Sequence, residues 1–122
     1  FGYLGENKAD INATLSMVKD NQPDDIGISV SYPLPGTPFF EKVKEQMVNK
    51  SNWKDSDDLD LMFEGEFSSK FYKSLQRHTH HLFRLRQGIK KIKSPNTAIS
   101  WRYVALIPYN LVISKILKPK FR

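Results

Sequence analysis

The chain has no cysteine among its 122 residues, which excludes disulfides, thiolate zinc sites, cysteine nucleophiles and any iron–sulfur cluster held by its own thiolates. The same lack fits a reducing cytoplasm. Carboxylates are missing from one entire half: residues 67–122 hold 13 Lys and Arg and no Asp or Glu, whereas residues 1–66 hold 6 Lys against 13 Asp and Glu. A block of one sign reads either as a surface for an anionic partner, nucleic acid or lipid headgroups, or as a basic face that docks on an acidic part of the same protein. There is also no uninterrupted apolar run of about 20 residues, the length a membrane-spanning helix needs. The most apolar stretch, AISWRYVALIPYNLVISKILKPK, is broken by Arg102, Pro108 and Asn110. As an amphipathic helix with Trp101, Tyr103 and Tyr109 and flanking lysines, it can lie on an anionic membrane surface or dock on a larger protein.

Two metal readings fail on spacing. His78, His80 and His81 contain no i, i+4 pair and stand among arginines that repel a divalent cation. Asp55, Asp57, Asp58 and Asp60 lack the alternating ligands, glycine bend and distant bidentate acid of a hard-cation loop, so a solvated, helix-capping loop is expected there. A start methionine and a charged leader are absent as well. The expectation is that the chain is one piece of a longer polypeptide.

What is present reads as short alternating elements. FGYLGE places two glycines within four residues and an acid directly after the second, a tight turn from a strand end into a helix. Such a turn can bring backbone amides and a carboxylate to a ligand, or it can be a plain connection whose glutamate answers the helix dipole. Ile11, Leu15 and Val18 at i, i+4 and i+7 predict a helix over about residues 7–21. Pro23 then stops it, and Ile26–Tyr32 is a β-branched, alternating run that predicts a strand. PLPGTP follows, with Thr37 an N-cap, Pro38 the first residue of a second helix, and Phe39, Phe40, Val43 and Met47 on its inner side. Its prolines and Gly36 make a rigid loop at the C-terminal end of a strand, where parallel α/β folds bind ligands, or a rigid connection with no ligand.

Strand, helix, strand, helix with short links is the order of a parallel α/β sheet, and two strands would leave that sheet unfinished. Residues 49–66, around Trp53, Leu59, Leu61, Met62 and Phe63, read as a loop with room for one short strand. The spacing of Phe71 or Tyr72, Leu75, Leu82 and Leu85 predicts a third helix from Ser68 to about Gln87, closed by Gly88. A last helix is expected over about residues 96–117, kinked at Pro108.

FGYLGE, QPDDIGISVSYPLPGTPFFEKVKE and NWKDSDDLDLMFEGEFSSKFYKSL, in that order, resemble the C-terminal part of radical S-adenosylmethionine enzymes with a cobalamin-binding domain. The likeness is to the anaerobic magnesium-protoporphyrin IX monomethyl ester cyclase-like group and covers about residues 1–76. It implies an α/β fold: residues 1–48 as the terminal strands and helices of an incomplete (β/α)6 radical SAM barrel, and residues 49–122 as a mainly helical extension. FGYLGE is similar to the family's Gly-Pro-Gly-Glu turn, matched at Gly2, Gly5 and Glu6, with Leu4 where proline is usual. Pro33–Thr37 resembles its Pro-x-Pro-Gly-Thr turn.

The resemblance implies contacts to the S-adenosylmethionine adenosyl group from Gly2, Tyr3, Gly5, Glu6, Ser31, Tyr32, Pro35 and Gly36. It places the 4Fe–4S cluster, with its three-cysteine loop, and cobalamin outside this chain. On this reading the segment positions the adenosyl group and helps close the barrel, and is not catalytic alone. Its partners are the remainder of the parent polypeptide and a small-molecule substrate, in the cytoplasm, with peripheral membrane contact by the basic C-terminal helix; nucleic acid is disfavoured. The alternative is a basic binding module that uses residues 67–122 on nucleic acid or an anionic membrane.

Overall fold

Asn7 starts the first helix by a reciprocal cap. Its side chain accepts from the Ala9 and Asp10 amides while the Asp10 carboxylate accepts from the Asn7 amide, so donors otherwise orphaned at the helix start are satisfied. The computed structural model describes residues 1–47, 59–93 and 101–116. Helix α1 (Lys8–Asn21) ends at Gln22, whose φ of 45° is left-handed, just before Pro23. Helix α2 (Pro38–Val43) starts as expected, with the Thr37 hydroxyl accepting from the Phe40 amide and proline in the first position, and a 3-10 turn over Lys44–Gln46 continues it. Helices α3 (Ser69–Lys93) and α4 (Trp101–Ile116) complete the described elements.

Helix α3 runs past the expected stop. Gly88 is buried within it rather than capping it. Helices α3 and α4 pack against each other, and His81 Nδ1–H on α3 donates to Asn110 Oδ1 on α4 at 2.7 Å. Asn110 is itself buried, and its amide donates to the Leu106 carbonyl, so both ends of this polar side chain are satisfied. The expected acidic turn at Asp55, Asp57 and Asp58, with Trp53, lies outside the described residues, as do residues 94–100 with the first residues of the last expected helix; the lysines of KKIKSPN (residues 90–96), expected in a basic link, instead form the last turn of α3.

The α/β expectation is corrected. Among the described residues there is no strand and no sheet, so the chain is not the end of a (β/α)6 barrel. Ile26–Tyr32 keeps the alternation that suggested a strand: Ile26 and Ile28 are half-buried and Val30 buried, with Gly27 and Ser29 exposed between them. Among the described residues it pairs with Phe1. The Phe1 nitrogen donates to the Ser29 carbonyl at 3.1 Å and the Ser31 amide donates to the Phe1 carbonyl at 2.7 Å, a single rung in parallel register. Gly2 then turns away with φ +80°, and Pro33 has no amide to continue the pairing. Period-two burial reports an extended segment, but a strand also requires a partner over several residues.

One core draws on both halves of the chain. Ile11 from α1, Val30 from the extended segment, Phe39 and Val43 from α2, Leu59, Leu61 and Phe63 from the loop before α3, and Tyr72 and Leu75 from α3 form one apolar cluster. The loop over residues 59–68 holds no strand, and its buried side chains fill the centre. Its backbone is tied to its neighbours: the Leu61 amide donates to the Ser69 hydroxyl and the Glu64 amide to Gln46 Oε1. Beyond the core, Asp60 and Lys73 pair at 3.0 Å, a half-exposed ion pair worth little on its own.

Candidate functional site

Two turns of the same build carry most of the residues singled out in the sequence. In the first, the Glu6 amide donates to the Tyr3 carbonyl at 3.0 Å and Gly5 has φ +83°; in the second, the Thr37 amide donates to the Leu34 carbonyl at 3.1 Å and Gly36 has φ +84°. Each is a four-residue turn whose third position needs positive φ, which glycine supplies without a Cβ clash. Proline is favoured at the second position, where the later turn has Pro35 and the earlier has Leu4.

The turns lie together. Ser31 is bonded to Phe1, and the Tyr3 ring stacks on Phe39 with centroids 4.6 Å apart, three residues beyond Gly36. Phe39 in turn meets Phe63 edge-on at 5.3 Å, which anchors this stack to the core. Gly2 is buried and Glu6, Ser31 and Tyr32 are half-buried, while Tyr3, Gly5, Pro35 and Gly36 are exposed. Seven of the eight candidate residues therefore fall in the two adjoining turns and the segment between them that pairs with Phe1, and Gly2 directly precedes the first turn.

Glu6 Oε2 is the hub of the first turn. It accepts from the Gly2 amide at 2.9 Å and from the Tyr72 hydroxyl at 3.0 Å. Tyr72 lies 66 residues further along the chain, on α3, and nothing near FGYLGE in the sequence signals it. Burial first, and then its bond to Glu6 and the Glu6 charge, hold the Tyr72 phenol well above its ordinary range.

Tyr72→Phe should therefore cost about 1.5–3 kcal/mol, the usual contribution of a hydrogen bond to a charged group. The pH dependence has a definite sign. A phenol whose folded pKa is raised contributes stability that is present below its unfolded value of about 10 and is lost as pH rises towards the folded value. Denaturant unfolding of the wild type and Tyr72→Phe across about pH 8 to 11 should show the gap between them narrowing above about pH 10. A gap that is constant over this range would contradict the bond to Glu6.

Among the described residues no three His, Asp or Glu side chains come together to hold a metal ion. No described helix is long and apolar enough to cross a membrane. Comparison with family models, with curated proteins and with solved structures returned no match to this chain.

Proposed function

We propose that this chain contributes cofactor contacts to a radical S-adenosylmethionine enzyme, with the cluster ligands, and cobalamin where it is used, held by the remainder of the parent polypeptide. The observation that supports this reading is the juxtaposition of the two glycine turns: the residues that match the family motif are contiguous in space as well as similar in order. Gly5, which is exposed with nothing against it, keeps the backbone open to a ligand, whereas Gly2 is buried against Leu61 and holds the Glu6 carboxylate through its amide. Glu6 uses Oε2 for Gly2 and Tyr72, and a carboxylate has about four acceptor positions, so Oε1 can receive an amine or a ribose hydroxyl. Tyr3, Pro35 and the Ser31–Tyr32 segment would border the adenosyl group.

With no cysteine, the chain cannot hold the cluster that supplies the reductive chemistry. Its own part is to position the cofactor for a small-molecule substrate, in a cytoplasmic setting. Sequencing the transcript that encodes the chain should reveal a Cys-x3-Cys-x2-Cys loop upstream of Phe1, and a start codon with no such loop between it and Phe1 would sink the reading. With the encoded polypeptide in hand, S-adenosylmethionine should shift the amide resonances of Gly2–Glu6, Ser31, Tyr32, Leu34 and Gly36, and Gly36→Val should weaken its binding.

A second reading, peripheral contact with an anionic membrane, is favoured by the exposed side of α4. Leu106, Tyr109, Leu111 and Val112 are 49%, 54%, 43% and 55% exposed, an apolar set on a helix that carries Lys115 in its last turn. Nucleic acid would need cations there instead. Co-sedimentation with phosphatidylserine-containing vesicles should exceed that with neutral vesicles, and Leu106→Ser with Val112→Ser should reduce it about tenfold or more, given about 1.5–3 kcal/mol for each buried aliphatic side chain. Equal binding by the double variant would remove this reading.

A further inference from the structure

The face of α3 that covers the core continues after the core has ended. Tyr72, Leu75, Thr79, Phe83, Arg86, Lys90 and Lys93 follow one another at spacings of three and four residues and so share one side of the helix. The first three are buried. From Phe83 onwards this side forms, with the end of α1 and the turn after it, a cleft of about 740 Å³. Val18, Pro23 and Phe83 give it apolar walls, while Lys19, Arg86, Lys90 and Lys93 set four cations against the carboxylate of Asp20.

The two walls are bonded to each other. Gln87 Nε2 donates to the Pro23 carbonyl at 3.1 Å and the Asp24 carbonyl at 3.3 Å, which holds α3 against the turn after α1. Lys90 and Lys93 lie in the last turn of α3 and Lys19 in the last turn of α1, where cations answer the carbonyl ends of helices. That accounts for the lysines. It does not account for Arg86, which precedes the last turn and stands where the spacing of the core-facing side calls for an apolar residue.

We propose that this cleft binds a small organic anion, an apolar body seated against Phe83 and Pro23 with a phosphate or carboxylate group held by Arg86 and Lys90. The guanidinium fork suits such a group because it can present two parallel N–H donors, and Lys90 adds a mobile point charge one turn away. The volume lies within the range of about 300–1,000 Å³ usual for ligand clefts, and apolar walls with a few converging charged groups are the usual lining. None of the residues of the two glycine turns lines this cleft, so the proposal is independent of the cofactor reading.

The probe is 1-naphthyl phosphate, titrated into the full chain and followed by naphthyl fluorescence and amide resonances. Binding should saturate, with shifts centred on Phe83, Gln87 and Lys90, and uncharged 1-naphthol should bind at least about tenfold more weakly. Arg86→Gln with Lys90→Gln, both at exposed positions, should weaken the phosphate about tenfold or more while leaving the circular dichroism spectrum unchanged. Lys70→Gln with Arg77→Gln removes the same charge from exposed positions elsewhere on α3 and should change binding by less than about twofold. Equal losses in the two double variants, equal binding of 1-naphthol, or no binding of the phosphate at all would overturn the proposal. So would anionic vesicles or an acidic peptide that bind through Arg86 and Lys90 while 1-naphthyl phosphate does not.

Discussion

Leu75→Ala should lower the stability of this protein by about 2–5 kcal/mol, because truncating a fully buried leucine loses its transfer free energy and leaves a cavity that the surroundings fill only in part. Leu75 is 0% exposed and belongs to the cluster that joins α1, α2, the loop before α3 and α3 itself. A loss of that size is a large share of the about 5–15 kcal/mol that holds a typical domain together. The control is Leu106→Ala on α4: Leu106 is 49% exposed, and surface changes of this kind stay within about 0.5 kcal/mol. Urea unfolding of both variants measures the contrast, with the midpoint moving and the slope unchanged for Leu75→Ala. Similar midpoints for the two would mean that α3 does not cover the core through Leu75.

Gly2→Ala should cost about 2–5 kcal/mol and Gly5→Ala only about 1–2 kcal/mol, although the two glycines share almost the same backbone conformation. With φ of +80° and +83°, both impose the penalty of a left-handed residue on alanine. They differ in what the new methyl group meets. At Gly2 it would come within 2.8 Å of Leu61 Cδ2, whereas at Gly5 nothing lies within 4 Å.

Leu61 has little freedom to retreat. It is buried, and a methyl built on Gly65 would stand 2.9 Å from its other terminal carbon, so the side chain is wedged between two glycines. Moving Gly2 would also disturb the amide that bonds Glu6, so the damage should reach the Tyr72 hydroxyl. Denaturant midpoints for the two alanine variants decide the matter. Equal costs would show that backbone conformation alone sets the penalty and that Leu61 yields.

Local chemistry was the most legible part of the sequence. Thr37 followed by Pro38 marked the start of α2 because an N-cap hydroxyl and a proline that needs no amide partner act within four residues. Ile11, Leu15 and Val18 marked the inward side of α1: Ile11 is fully buried and the other two are half-buried. The second glycine turn was legible for the same reason, since Pro35-Gly36 specifies its own backbone. Gly88 was misread because a glycine near a helix end has two uses, capping and packing, and only the presence or absence of packed neighbours separates them.

The sequence by itself determined the two glycine turns, the starts of α1 and α2, the division of charge between the halves and the absence of any thiolate, because each depends on residues close along the chain or on composition. Tertiary structure alone decided that Ile26–Tyr32 meets Phe1 without a sheet forming among the described residues, since pairing depends on whether a neighbouring segment stays alongside, and here Gly2 turns it away. It also decided that Glu6 meets Tyr72 across 66 residues, and that the core-facing side of α3 runs on past the core to place Arg86 in a cleft. Such contacts depend on how far one element extends beyond its neighbours, a property that no short stretch of sequence carries.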